Sequence, residues 1–427
     1  MATTEKWSAS RIDTANYCDM KYYLKYVETP RPASLNPSAY RKGSLFHSSI
    51  ETFWLLMDPS VYENNPELSR EINAYKERHP QKIENLTKGK KILKPKYNDP
   101  ESFAKYVRGK WLSKTVIPDS ILKKELKENL SEKERKKIEK KLIDWSFDGE
   151  QYVFNQKLPG ICMPLFEYLL NEGPPLYSEL SFDFELNNLE LNGEDLGRIR
   201  FNGFIDEIRL RDGKAVIRDY KSGNPWGIKE MKIEFDPQLT FYNLGLASLC
   251  YDDQEFAKII GVEDIADQFM GNPIFIYPEF DQEFFMVEAL SKIEEAKKPG
   301  SRIKDLPKSI LPTKRSDVHF NELIKMINGT RQIRERENIY AESGRKCDLC
   351  EMKKPCAERI YENQDQLVVN KNGQRFLSFI NSPIKAVVRR SSKRKKEKFA
   401  DDQMKFHFGR KEPWKGTYKR KDKTDNS

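Results

Sequence analysis

Histidine and cysteine are scarce in this chain, numbering four and six among 427 residues. Six cysteines over that length do not make a disulfide scaffold, and a reducing compartment would leave their thiolates free for metal. No apolar run reaches the roughly 18 residues of a membrane-spanning helix. The opening segment from Met1 to Ser8 lacks the basic-then-apolar pattern of a secretory signal, so the expectation is an intracellular protein without a membrane span. No Gly-x-x-x-x-Gly-Lys-Ser/Thr loop is present, which removes a built-in nucleotide-driven motor. There is no internal repeat. What the chain does have is charge. Asp, Glu, Lys and Arg make up 33% of it, above the usual share of about 25%. The net charge of +9 suits a polyanionic partner. Hydrophobic residues at 38% and aromatics at 11% still provide for a core.

Four stretches organise the chain. Residues 1–57 read as two helices, the first capped by Ser8 or Ser10 and the second following Gly43-Ser44 with Phe46, Ile50, Phe53 and Trp54 at helical spacing. Residues 58–148 form a charged, mainly helical insertion. The run from Lys123 to Glu128 and the mixed run from Glu132 to Lys141 read as a solvated helix with ion pairs three or four residues apart. Residues 149–360 hold strand signals near Tyr177, at Ser181 to Leu186, Ile199 to Leu210, Ala215 to Lys221, Pro273 to Tyr277 and Phe284 to Val287. Asp236-Pro237 opens a helix to about Tyr251, and another spans Asn321 to Ala341. Residues 361–427 are a basic tail, with Arg389-Arg390 and Lys393 to Lys396, and read as disordered.

The chemistry gathers on one hairpin. Asp212-Gly213 is a strong two-residue turn signal, because both central positions of the favoured turn take positive φ. Pairing around it sets Leu210 opposite Ala215, Ile208 opposite Ile217 and Asp206 opposite Asp219. Alternation then puts Phe204, Asp206, Ile208, Ile217, Asp219 and Lys221 on one face. Two carboxylates on adjacent strands repel, and a divalent cation such as Mg²⁺ or Mn²⁺ removes the penalty. Lys221 points at the same spot, where it would orient a water or stabilise charge on a phosphate. Glu207 and Arg218 fall opposite each other on the reverse face. Read alone, Asp-x-Lys is also compatible with an ordinary polar strand end.

Gly203-Phe204-Ile205-Asp206 followed by Asp219-Tyr220-Lys221-Ser222-Gly223 resembles the core of RecB-like PD-(D/E)XK nucleases. Gly43-Ser44-Leu45-Phe46-His47, with Glu51 one turn later, is similar to that family's upstream histidine helix. The resemblance implies an α/β restriction-endonuclease-like fold, a mixed central sheet flanked by helices. It implies His47, Asp206, Asp219 and the carbonyl of Tyr220 as ligands of a Mg²⁺ or Mn²⁺ ion, with Lys221 assisting the attacking water. Gln238 and Tyr242, four apart on the helix after the hairpin, look like a family pair lying against the active site and DNA. Glu179 resembles the family's earlier acidic position.

Cys347-x-x-Cys350 with Cys356 five residues on supplies three thiolates, and four would suit either a [4Fe–4S] cluster or structural Zn²⁺. Tyr17-Cys18-Asp19-Met20-Lys21-Tyr22 looks like the N-terminal half of the cluster motif in the same nucleases, which implies Cys18 as the fourth ligand. Cys162 and Cys250 sit in apolar surroundings and read as buried small hydrophobes. The expectation is a metal-dependent DNA nuclease, a single-strand exonuclease of DNA repair, recombination or foreign-DNA processing, cytoplasmic or nucleoid-associated. A nuclease subunit active only with a helicase or other recombination partner, a catalytically silent nucleic-acid-binding subunit and an RNA nuclease are the alternatives. The insertion and the tail fall outside the resemblance; a DNA-contacting arm is a second reading of the former, and sequence-independent DNA attraction one of the latter.

Overall fold

A computed structural model describes residues 5–29, 37–87, 97–115, 143, 150–227, 230–262, 280–336, 339, 341, 347 and 350–362. The strand expected at Pro273 to Tyr277, the charged runs of residues 123–141 and the basic tail lie outside them. The chain opens with β1 (Lys6–Trp7), α1 (Ala9–Tyr17), α2 (Asp19–Tyr22), a π-helical turn and α3 (Ser38–Leu56). Among the described residues four α-helices follow: α4 (Pro66–Arg78), α5 (Pro80–Thr87), α6 (Pro100–Thr115) and α7 (Glu150–Glu172). The sheet strands β2 (Tyr177–Leu191), β3 (Glu194–Arg211) and β4 (Lys214–Lys221) come next, then α8 (Glu230–Phe235), α9 (Pro237–Asp252) and α10 (Gln254–Ile259). The described chain closes with β5 (Asp281–Met286), α11 (Val287–Ala296), β6 (Ile310–Lys314), α12 (Asp317–Glu335) and α13 (Lys353–Glu362). Among the described residues no helix is long and apolar enough to cross a membrane.

The strands form one mixed sheet in the order β1-β3-β4-β5-β6, with β2 along the other side of the long β3. β2–β3, β3–β4 and β5–β6 are antiparallel; β1–β3 and β4–β5 are parallel. Side chains alternate across it into two cores. Ile217 and Phe284 join one with Leu239, Phe241 and Leu244 of α9 and Leu323 and Ile327 of α12. Tyr220 and Phe285 join the other with Phe53 of α3, Tyr75 of α4, Phe103 of α6 and Phe166 of α7. This is the mixed sheet flanked by helices that the resemblance implies.

Several local expectations change. α3 begins at Ser38 rather than after Gly43, so Gly43 lies within it, and a Cβ there would stand 3.4 Å from Ser222 Oγ. Ser8 precedes α1 in extended backbone, yet its hydroxyl meets Ser10 Oγ at 3.1 Å and caps no helix N–H. The last long helix spans Asp317–Glu335 and stops short of Ala341, with extended backbone at Arg336. The insertion is helical where described but is no solvated appendage: Ile72, Tyr75, Phe103, Val107 and Trp111 are buried in the second core.

α9 reaches the sheet through a ring between two glycines. Phe182 of β2 lies across from Gly203 of β3, and its ring also fills the space beside Gly245 of α9. A Cβ at Gly203 would come within 2.7 Å of that ring, and one at Gly245 within 2.5 Å. Gly245→Ala should therefore overpack the interface at about 1–3 kcal/mol, offset by up to about 1 kcal/mol of better helix propensity. Urea denaturation should show a lowered midpoint, and Phe182→Leu in the same chain should recover part of the loss.

Candidate metal centre

Asp212 and Gly213 take φ values of +52° and +75°, the positive pair that a tight hairpin turn needs. The register is the expected one through Leu210–Ala215, Ile208–Ile217 and Glu207–Arg218. The ladder stops there, one step before Asp206 and Asp219. Instead of a further strand pair, Asp206 Oδ2 accepts the Tyr220 N–H at 3.0 Å. On the other side of β3, Glu179 of β2 falls level with Asp206, between the Ser178–Glu207 and Leu180–Ile205 pairs, and has a left-handed φ of +50°. α3 brings His47 over both: Nδ1 is 3.4 Å from Asp206 Oδ2 and 3.9 Å from Glu179 Oε1. One donor atom from each of His47, Glu179 and Asp206 lies within 4.8 Å of the others.

Asp219 is wholly buried, and neither of its carboxylate oxygens accepts a well-formed hydrogen bond. Lys221 Nζ makes an ion contact with Asp219 Oδ2 at 2.8 Å and directs its hydrogen bond to Gln238 Oε1 at 2.7 Å. Gln238 Nε2 donates to the Tyr242 hydroxyl oxygen at 2.6 Å, and the same hydroxyl donates to Asp206 Oδ1 at 2.9 Å. A chain of polar contacts thus runs from Asp219 through Lys221, Gln238 and Tyr242 to Asp206. Gln238 owes its place to the start of α9, where Asp236 caps its N–H at 2.9 Å and Pro237 takes the first helical position.

The titration behaviour follows from crowding. Burial pushes Asp219 up to about 7, with the Asp206 charge adding and Lys221 opposing. Burial raises Asp206 as well, against His47. Burial disfavours the imidazolium of His47, but its bond to Glu179 and the charges of Asp206, Asp219 and Glu179 prevail and lift it to about 9. A protonated imidazole then stands where the surrounding carboxylates call for a cation. Carboxylate oxygens plus one imidazole, with orphaned oxygens on Asp219, fit a hard divalent ion such as Mg²⁺ or Mn²⁺.

The structure therefore brings His47 and Asp206 together and adds Glu179, which the sequence reading left outside the ligand set. Its place depends on a left-handed backbone that residue spacing does not announce. Asp219, Lys221, Gln238 and Tyr242 lie around this trio, and Tyr242 is buried, with its hydroxyl on a carboxylate. Tyr220 meets the site through its N–H, while its hydroxyl points to the reverse face and donates to Glu207 Oε2 at 2.5 Å. There Arg218 bridges Glu207 (3.3 Å), Glu283 (2.6 Å) and Glu172 (2.6 Å), all but Glu172 with fully buried side chains. Glu51 pairs with Lys82 at 3.0 Å and is not a member of the trio.

The cysteines meet at the other end of the chain's path. Cys18 and Cys350 share a small buried cluster with Met20, Leu24 and Met352, and Cys356 packs against it. Burial first, then the nearby charges of Cys18, Cys350 and Cys347, push the Cys356 thiol up to about 12. Cys350 N–H donates to Cys347 O at 3.2 Å, a tight turn between the first two thiols of the trio. Cys162 and Cys250 are buried apart from them, and burial lifts each thiol to about 12.

Compared with known families, residues 6–357 match the sequence model described as the PD-(D/E)XK nuclease superfamily. No curated protein matches the chain.

Ligation requires a neutral imidazole and ionised carboxylates, so below about pH 9 metal must displace the His47 proton, and below about pH 7 the Asp219 proton too. Mn²⁺ affinity should rise with pH between 6.5 and about 9 and then level, with proton release on binding. Calorimetry in buffers of different ionisation enthalpy checks this; pH-independent affinity without proton release would contradict ligation by His47.

Proposed function

This chain belongs to the PD-(D/E)XK nuclease superfamily, and on that basis we propose that it is a Mg²⁺- or Mn²⁺-dependent deoxyribonuclease of the RecB-like group, acting as an exonuclease on single-stranded DNA ends. Superfamily membership implies a metal-dependent nuclease with a nucleic-acid substrate. The observation that carries the finer reading is the convergence of His47, Glu179 and Asp206 on one point, beside Asp219 and Lys221. The RecB-like resemblance of the Gly203-to-Asp206 and Asp219-to-Gly223 segments, and of the His47 helix, supports the choice of DNA and of strand ends.

His47, Glu179 and Asp206, with Asp219 adjoining, would hold the ion. When bound, it supplies Lewis-acid charge to the scissile phosphate. The protein's own groups do the rest. Lys221 is half-buried, which disfavours its charge, but Asp219 and Asp236 outweigh that and raise its pKa further. It therefore stays protonated and acts as a donor, not as a base. Held between Asp219 and Gln238, it can orient an attacking water or stabilise charge growing on a phosphate oxygen. Gln238 and Tyr242 fix the directions in which Lys221 and Asp206 point.

The same reading gives Cys18, Cys347, Cys350 and Cys356 to a [4Fe–4S] cluster, with structural Zn²⁺ as the alternative occupant. What supports a metal centre is chemical: burial raises the Cys350 and Cys356 thiols, and such groups become good thiolates once a metal takes their charge. A helicase or other recombination protein as partner belongs to this reading as well.

Asp219→Ala and Lys221→Ala should each lower Mn²⁺- or Mg²⁺-dependent cleavage of end-labelled single-stranded DNA by roughly 100-fold or more, while DNA binding persists. Wild-type cleavage by Asp219→Ala would overturn the site. Protein purified without oxygen should be brown and carry iron and sulfide; a colourless protein with stoichiometric zinc would assign the four cysteines to Zn²⁺ instead.

A further inference from the structure

Ser178 is the residue immediately before Glu179, and every polar atom it has is taken by α4, α5 or His79 at the junction between them. Its N–H donates to His79 Nε2 at 3.3 Å, its carbonyl accepts from Lys82 Nζ at 2.6 Å, and its hydroxyl meets the Tyr75 hydroxyl at 3.0 Å. Two residues earlier, the Leu176 carbonyl accepts from Arg78 Nε at 3.0 Å. Among the described residues β2 pairs only with β3 in the sheet, so these bonds cover the start of its outer edge. His79 is buried, and its Nδ1 lies 2.8 Å from the Tyr75 carbonyl. A carbonyl only accepts, so Nδ1 carries the proton and Nε2 is left as the acceptor that the Ser178 N–H needs.

The next residue, Glu179, takes the left-handed backbone, at φ +50°. For a side chain with a Cβ that conformation is unfavourable, and it persists where neighbouring structure over-determines it. The brace on Ser178 is such a neighbour, and Glu179 is the metal-cluster member whose position the regular strand does not supply.

The geometry points to His79 and Lys82 as positioning residues for the metal centre: by holding the Ser178 peptide they set the left-handed turn that presents the Glu179 carboxylate beside His47 and Asp206. This rests on the reading of that trio as a divalent-ion site. It gives the charged helical segment a task at the site although none of its residues belongs to the trio.

The test is Mn²⁺ affinity of the full chain, by calorimetry, with thermal melting as the folding check. Partners that orient metal ligands are worth about 10- to 100-fold in affinity. His79→Leu and Lys82→Met should therefore each weaken Mn²⁺ binding about tenfold or more. Glu179→Gln should weaken it too, and adding either variant to Glu179→Gln should change it less than about twofold, because the residue being positioned no longer ligates. Should the buried His79 variant fail to fold, Lys82→Met, from a partly exposed side chain, carries the same cycle. Folded variants that bind Mn²⁺ like wild type, or losses that multiply in full on top of Glu179→Gln, would overturn the brace while leaving the metal centre intact. A wild-type chain that binds no Mn²⁺ would overturn both.

Discussion

Asp206 and Asp219 sit out of water at neighbouring positions of adjacent strands, and Glu179 closes in from the third. Desolvation opposes ionisation of Asp219, and the charge on Asp206 adds to that. The groups around the aspartates answer this load: His47 as a cation, Lys221 as a counter-charge, the Tyr220 N–H and Tyr242 hydroxyl as donors to Asp206. Asp219 remains the exception, with both oxygens short of a proper donor. A carboxylate left so is a standing cost to the fold, and a divalent ion is the group that removes it.

The reverse face of the same strands is also charged, but there the accounts close within the protein. Arg218 holds Glu172, Glu207 and Glu283 from α7, β3 and β5, while Arg209 pairs with Glu207 and Arg211 with Glu283. Removing one member of such a buried set leaves an uncompensated charge, at about 3–5 kcal/mol. Tyr220 joins the two faces, its N–H on Asp206 and its hydroxyl on Glu207. The open carboxylate cluster is thus mounted on a closed one, and motion in the first is resisted by the second.

The hairpin was readable because Asp212-Gly213 dictates a turn and the turn dictates a register. The helix at Asp236-Pro237 was readable for a similar reason, since a capping carboxylate and a proline at the first position are local chemistry. α7 was not, because Pro159 and Pro164 lie inside it and read as breaks. β1 and β6 are too short to show alternation. Burial of Tyr75, Phe103 and Trp111 was hidden by the lysines and glutamates around them, although their spacing is helical. Glu179 could be placed only as a resemblance, because its place depends on one positive φ, next to a Ser178 whose N–H is bonded to His79, 99 residues away.

The two ends of the described chain are clasped by ion pairs. Lys25 bonds Glu351 at 2.8 Å across 326 residues, Arg359 bonds Glu28 at 2.6 Å, and Arg336 pairs with Asp19. On a ribosome adding about 5–20 residues each second, those 326 residues take on the order of 15–65 s. Throughout that interval α2 and its neighbouring turn lack these C-terminal partners, and the surface that will receive Met352 and Cys350 stays open. The first helices made are therefore among the last to be settled, and the nascent chain completes this part of the fold only after the sheet is already in being.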